Sequence, residues 1–302
     1  MVTPDLPVMP RLGRRLFLQA AAVSVLAPSL IAPKAFAAPA PPPKGGIIAL
    51  DWALAANALA LGADVTGVPS TAYYNRATVE PALRPDTVDV GLLFTPNFEF
   101  IDELSPRLIL IPPRLGQMLP FLRRIAPVEV VDLASNGTAT LDAATAALIQ
   151  IGTLTGRDPQ PVIAEAETTL TEAAAALARH RGKPFLLLTL ADDRHLSVFT
   201  AESFEGQVMA RLGLVNDWTR GAFFGSRATV ALDELAQHPE ASLLVLDAAA
   251  LNGLSGSSPG GLFWEALPAV REHRTRLLPA LLEDGGLPSA IRLARLLAET
   301  LA

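Results

Sequence analysis

The 302-residue chain carries 24 basic and 30 acidic residues, four histidines and no cysteine, and half of its residues are apolar. The lack of cysteine excludes a disulfide framework, a zinc–thiolate centre and a lipid-anchored cysteine. An acidic chain without basic clusters makes a poor nucleic-acid binder, and the apolar fraction suffices for sizeable cores.

Arg14-Arg15-Leu16-Phe17-Leu18-Gln19 opens the readable part of the chain, followed by an apolar run from Leu16 to Ala32 and by Ala35-Phe36-Ala37. The order is basic, apolar, cleavable, so residues 1–37 read as a twin-arginine export signal and the mature protein is expected in a periplasm. Gln19, Ser24, Pro28 and Ser29 interrupt the run, which argues against stable membrane insertion after cleavage. Removing the four basic residues and the one acidic residue before Ala38 leaves 20 against 29, a net charge of −9. Residues 38–46, Ala-Pro-Ala-Pro-Pro-Pro-Lys-Gly-Gly, form an extended tether. The 265 residues after position 37 favour two lobes.

From Gly46 onward, short apolar runs alternate with helical patterns. Strands are expected at Gly46–Leu50, Val88–Leu92, Leu108–Ile111, Val128–Leu133, Phe185–Leu190, Leu196–Phe199, Ser242–Leu246 and Arg276–Pro279. Helices are expected at Ala53–Leu61, Asn97–Leu104, Leu115–Ile125, Leu141–Leu154, Phe204–Leu212 and Ala290–Leu301. This alternation predicts parallel sheets with helices packed around them. Between the two series, Asp158 caps and Pro159 opens a pattern with Val162, Ala166, Leu170, Ala173 and Leu177 at helical spacing, ended by Gly182 and Pro184. A helix over 158–181 would be roughly 33 Å long. It reads either as an ordinary surface helix between sub-domains or as a rigid spine joining two α/β lobes, 47–157 and 182–302, with a ligand cleft between them.

Catalytic chemistry is not evident. His180, His195, His238 and His273 lack metal-ligand spacing, no serine sits in a Gly-x-Ser-x-Gly elbow, and Asp192-Asp193 before Arg194 reads as a charged turn. Leu251–Gly261 is Gly/Ser-rich but lacks the Gly-Lys-Ser/Thr ending of a phosphate loop, so it reads as a surface loop. An enzyme is therefore not expected, nor a cofactor or a metal site built from protein ligands.

An ordered set of motifs carries a resemblance: Ala49-Leu50-Asp51-Trp52, Glu80-Pro81-Ala82-Leu83, Asp89-Val90-Gly91-Leu92, Thr95-Pro96-Asn97-Phe98-Glu99 and Arg124-Ile125-Ala126-Pro127, then Pro184 to Leu190, Asp193-Arg194-His195, Phe223-Phe224-Gly225-Ser226, Leu232 to Ala236 and Leu278-Pro279-Ala280. Over about residues 47–300 the chain resembles the periplasmic ferric-hydroxamate binding proteins of bacterial ABC importers (FhuD-like, helical-backbone solute-binding proteins). The resemblance implies two α/β lobes bridged by one helix, a ferric siderophore in the cleft, delivery to an inner-membrane permease, and a monomer. It also implies ligand contacts at Leu93, where the family has an arginine, at Leu115, where it has a tyrosine, and at Phe224 and near Leu282, where it has tryptophans. Replacement donors are sought among Tyr73, Tyr74, Arg76, Arg114 and Arg227, with Phe94 beside them. The second-lobe acid that docks on the permease corresponds to Asp233, while its first-lobe counterpart falls at Pro120. Haem, a corrinoid or another metal chelate on the same fold is the alternative cargo. An exported enzyme with a scattered site and a sensor are the other readings.

Overall fold

The computed structural model describes residues 44–135, 137–192, 194–221, 227–246 and 261–302. The export signal, most of the tether, Asp193, Phe223, Phe224 and residues 251–260 lie outside the described residues.

The first lobe starts with β1 (Ile47–Ala49), α1 (Trp52–Ala60), β2 (Val65–Val68), α2 (Thr71–Ala77) and β3 (Val88–Asp89). A small hairpin of β4 (Gly91–Leu92) and β5 (Thr95–Pro96) follows, then α3 (Phe98–Glu103), β6 (Leu108–Ile111), α4 (Leu119–Leu122) and β7 (Val128–Val130). Its sheet runs β3-β2-β1-β6-β7 with every pairing parallel. β1, β2 and β6 are buried along their whole length, the pattern of parallel strands covered on both faces.

Three sequence expectations change here. β2 escapes notice because Thr66 and Gly67 interrupt its apolar run, yet Gly67 is what lets the strands close. A Cβ there would lie 2.5 Å from Ile48 Cδ1 and 2.8 Å from Val90 Cγ1. The single strand expected over Val88–Leu92 is broken at Gly91, whose φ of +102° turns the chain out of the sheet and into the hairpin. The helix expected over Leu115–Ile125 is a 3-10 segment, Pro113–Met118, followed by the four-residue α4. Pro120 in the first turn of α4 has no N–H with which to continue an earlier α-helix.

A second hairpin, β8 (Ala134–Ser135) and β9 (Thr138–Ala139), precedes α5 (Leu141–Thr155), which Thr140 caps and Gly156 ends at φ +69°. Then comes α6 (Gln160–Ala176), the expected joining helix. It covers 17 residues, about 26 Å at 1.5 Å per residue, and its last part tightens into a 3-10 turn, Ala178–His180. The element is thus shorter than the 158–181 expected.

The second lobe contains β10 (Pro184–Leu190), β11 (His195–Phe199), α7 (Phe204–Arg211), β12 (Val215–Asn216), β13 (Arg227–Ala231), β14 (Ser242–Val245), α8 (Leu262–Ala266), α9 (Pro268–Arg271), β15 (Thr275–Leu277) and α10 (Leu287–Leu301). Its sheet runs β13-β11-β10-β14-β15, with β12 also on β10. This sheet is mixed and not parallel throughout, because β11 is antiparallel to both β10 and β13. The connection from β10 to β11 is too short for a crossover. It closes as a turn in which the Asp192 carboxylate accepts from the Arg194 and His195 N–H groups, both at 2.7 Å. Asp192 is thereby held below the usual carboxylate range, first by the Arg194 N–H and then by His195.

The lobes belong to one compact unit. The largest apolar cluster runs from α1 and α5 through α6 and α10 to α7, so it crosses from one lobe to the other. The buried stripe of α6, Val162, Ala166, Leu170 and Ala173, is part of it. Each lobe adds an outer cluster: Ile48, Leu50, Ile101 and Leu115 in the first, Leu186, Leu188, Trp218 and Trp264 in the second. No helix among the described residues is long and apolar enough to cross a membrane.

Candidate functional site

A cleft of about 370 Å³ opens between the two sheets, a size in the ordinary range for small-molecule sites. Its walls are the segments that leave the carboxyl ends of parallel strands, the usual place for ligands in open α/β sheets. Trp52 follows β1, and Tyr73 and Ala77 follow β2. On the other side stand Thr189 and Leu190 at the end of β10, Leu246 after β14 and Ala280 to Glu283 after β15. Arg227, the first residue of β13, completes that wall.

The first-lobe wall is built around the start of α1. Asp51 caps this helix, its Oδ1 accepting from Leu54 N at 3.0 Å. The cap places Trp52 at the helix start with its ring toward the cleft and its Nε1 donating to Pro69 O at 2.8 Å. Tyr73 stacks on Trp52 with ring centroids 4.2 Å apart, and the Arg76 guanidinium lies 4.9 Å from the Tyr73 centroid. The other Asp51 oxygen pairs with Arg114. Burial raises the Asp51 carboxyl above its ordinary range, and Arg114 opposes that rise. Arg114 in turn lies 5.3 Å from the Phe94 ring, which is 62% exposed on the β4–β5 hairpin. Phe94, Arg114, Asp51, Trp52, Tyr73 and Arg76 thus form one connected rim.

Arg227 and Glu283 are the charged residues of the second-lobe wall among the described residues, and they form an ion pair. Arg227 also lies 5.6 Å from the ring of Phe199, its partner across the β11–β13 ladder. Behind Glu283, the Asp284 N–H donates to Oε1 of Glu205 at 2.9 Å. Glu205 is fully buried, and burial, reinforced by the nearby Asp284 carboxylate, pushes it up to about 8. Across the base of the cleft, Asn57 Nδ2 of α1 donates to Gly285 O at 3.1 Å, tying the first lobe to this loop.

The sequence-derived residues separate clearly. Tyr73, Arg227 and Leu282 line the cleft. Tyr73, Tyr74 and Arg76, expected in a loop, sit on α2. Neighbours on a helix point about 100° apart, so Tyr74 turns into the core, where its hydroxyl donates to Pro81 O at 2.8 Å. Burial raises its phenol further above the usual tyrosine range. Leu115 is fully buried in the first-lobe cluster and Leu93 is half-buried on the hairpin. Phe224 lies outside the described residues. Asp233 is exposed in the first turn of a 3-10 segment, Leu232–Gln237, and Pro120 is exposed on α4. Trp52, Glu283 and Leu281 were not anticipated. Trp52 had a usable signal, a capping aspartate between a strand end and an aromatic; Glu283 had none.

Among the described residues, no group of three or more His, Cys, Asp or Glu side chains is arranged to hold a metal ion. The iron(3+)-hydroxamate-binding protein FhuD of Escherichia coli (strain K12) is 29% identical over 253 residues, 83% of this chain and 85% of that protein. The Fe3+-Desferal-bound siderophore binding protein FhuD from Vibrio cholerae superposes with a TM-score of 0.77 at 24% identity, over 85% of this chain and 97% of that one. The triscatecholate siderophore binding protein FeuA from Bacillus subtilis, complexed with ferri-bacillibactin, superposes with a TM-score of 0.65 at 17% identity, over 86% and 93%. The fold is therefore that of these binding proteins. The sequence matches the model of the periplasmic binding protein family over residues 47–281, from β1 to the loop that walls the cleft, and the chain belongs to that family.

Proposed function

We propose that this protein is the periplasmic solute-binding component of an ABC importer, taking a ferric siderophore into the cleft and delivering it to an inner-membrane permease. The observation that carries the reading is the cleft itself: a stacked Trp52–Tyr73 pair faces an aliphatic wall of Leu281, Leu282, Leu246 and Leu190, with Arg227 at its edge. A siderophore already fills the octahedral shell of ferric iron with oxygens. Its site thus needs an apolar and aromatic surface with a few donors, and no metal ligand from the protein. Tyr73, Arg227 and Leu282 contact the chelate, and Arg76, Arg114, Phe94 and Leu93 shape the rim. Tyr74 and Leu115 support the wall from behind. The iron(3+)-hydroxamate-binding relative favours this cargo over haem or a corrinoid. The mature protein acts as a monomer, leaves the cytoplasm by the twin-arginine route, and presents Asp233 to the permease.

Trp52 supplies the test. Trp218 and Trp264 are buried in the second lobe, so Trp52 is the tryptophan that a ligand in the cleft touches. Titration with ferric siderophores is expected to change tryptophan fluorescence with one-to-one stoichiometry. At a hundredfold excess over the dissociation constant, binding adds about 2.7 kcal/mol of stability. Trp52→Phe should remove the fluorescence change while a ligand-induced rise in melting temperature persists. If no ferric siderophore alters either signal at micromolar concentration, the reading is wrong.

A further inference from the structure

The fold accommodates chelates of very different charge, since the solved relatives include a ferric-Desferal binder and a triscatecholate binder. What this particular cleft takes therefore depends on its own fixed charges. Arg227 is the guanidinium that lines it, and Glu283 is the carboxylate paired to it. Both remain within reach of a bound molecule, with side chains 40% and 28% exposed. Asp284 follows in the same loop but stands behind Glu283, beside the buried Glu205, so among the described residues Glu283 is the acid that lines the cleft. On the opposite wall Arg114 is likewise paired, to Asp51, and Arg76 is engaged on the Tyr73 ring. The arginine that lines the cleft among the described residues is thus compensated, while Arg76, lying on the Tyr73 ring, keeps its charge at the rim.

The chelates differ in charge by stoichiometry. Three singly charged hydroxamates cancel the charge of ferric iron, whereas three doubly charged catecholates leave a net of minus three. A polyanion entering this cleft meets Glu283 as a like charge, while Arg227 is already paired to it. Like-charge juxtaposition in a partly dehydrated site is the usual way a binding surface rejects a near-isosteric competitor. We infer that Glu283 is a specificity-determining residue, neutralising Arg227 so that the cleft accepts electroneutral ferric chelates and excludes polyanionic ones. This inference rests on the ferric-siderophore reading of the cleft and adds the residue that sets its charge preference.

Glu283→Gln tests it, because glutamine keeps the shape and one acceptor oxygen for Arg227 but not the charge. The probes are the ferric complex of N-acetyl desferrioxamine B, a neutral trihydroxamate, and ferric enterobactin, a triply negative triscatecholate. The readout is the ratio of their dissociation constants. The parent protein should favour the neutral chelate by ~100-fold or more, and Glu283→Gln should narrow that ratio by ~10-fold or more by tightening the triscatecholate, as expected for removing one close like charge. A gain of this kind does not arise from a merely structural role. Arg227→Gln, which leaves Glu283 uncompensated, should widen the ratio, and it keeps the inference testable if Glu283→Gln folds poorly. The inference is overturned if neither variant moves the ratio by more than ~threefold, or if the parent binds both probes equally well. If the parent binds neither chelate, the siderophore reading itself falls and this inference with it.

Discussion

Replacing Glu205 with glutamine should flatten the pH dependence of stability between mildly acidic and mildly alkaline solution. Glu205 lies in the first turn of α7 with its side chain fully buried. One carboxyl oxygen accepts from the Asp284 N–H, and the other has no hydrogen-bond partner. Burial, with the Asp284 carboxylate as second cause, raises this group from 4.5 to about 8. Folding therefore favours the protonated acid. The stabilisation is fully present below the unfolded value, near 4.5, and is lost as pH rises through about 8. At about 1.4 kcal/mol per pKa unit, the loss between ~pH 6 and ~pH 8.5 is roughly 2–3 kcal/mol. For a domain of this size that corresponds to roughly 5–10 °C in melting temperature. Glutamine stays neutral throughout and keeps an acceptor for the Asp284 N–H. Urea midpoints or melting temperatures of parent and variant across this range provide the assay, and the parent curve should fall more steeply. Parallel curves would mean that Glu205 is not held protonated by the fold.

Three further outcomes follow from the architecture and its proposed role. Leu170→Ala empties a 3%-exposed position where α6 meets the inter-lobe core, and should cost about 2–5 kcal/mol in denaturant unfolding; a loss below ~1 kcal/mol would contradict that packing. Asp233→Ala should leave siderophore affinity intact but slow permease-dependent uptake, because an exposed rim charge guides orientation and association more than it adds affinity; normal uptake would make Asp233 a local helix residue. Changing Arg14 and Arg15 together to lysine should strand the precursor in the cytoplasm, and undiminished periplasmic protein would refute the twin-arginine reading.

The lobed α/β plan was legible because its signals are local and repeated. Ile47-Ile48-Ala49-Leu50, Leu108 to Ile111 and Phe185 to Leu188 are apolar runs of strand length, and Val162, Ala166, Leu170 and Ala173 mark a helix face. What stayed hidden depends on distant partners. Gly67 weakens β2 as a sequence signal, yet it is required only because Ile48 and Val90 press against it. Thr71–Ala77 carries two tyrosines and little periodicity, and its N-terminus is held by Asp89, whose carboxylate accepts from Ser70 N at 3.2 Å and Thr71 N at 2.9 Å. In the site, Leu282 was reachable through the family resemblance, and Tyr73 and Arg227 as candidate donors for the family positions held here by leucines. Glu283 was not, because its importance comes from a pairing with Arg227, more than fifty residues earlier in the chain.

The placement of α10 governs when this molecule can become whole. Leu287, Ala290, Ile291, Leu293, Ala294 and Leu297 are buried, and the helix packs on α6 while also touching α1, α5 and α7. A nascent chain can pair β1 with β2 early, but the cluster shared by both lobes stays open on one side until residues beyond 287 have emerged from the ribosome. Non-local closure of this kind delays folding. The interval between synthesis and a finished core is thus written into the last helix. If export proceeds on the folded chain, as the proposed route requires, it waits until that helix has docked.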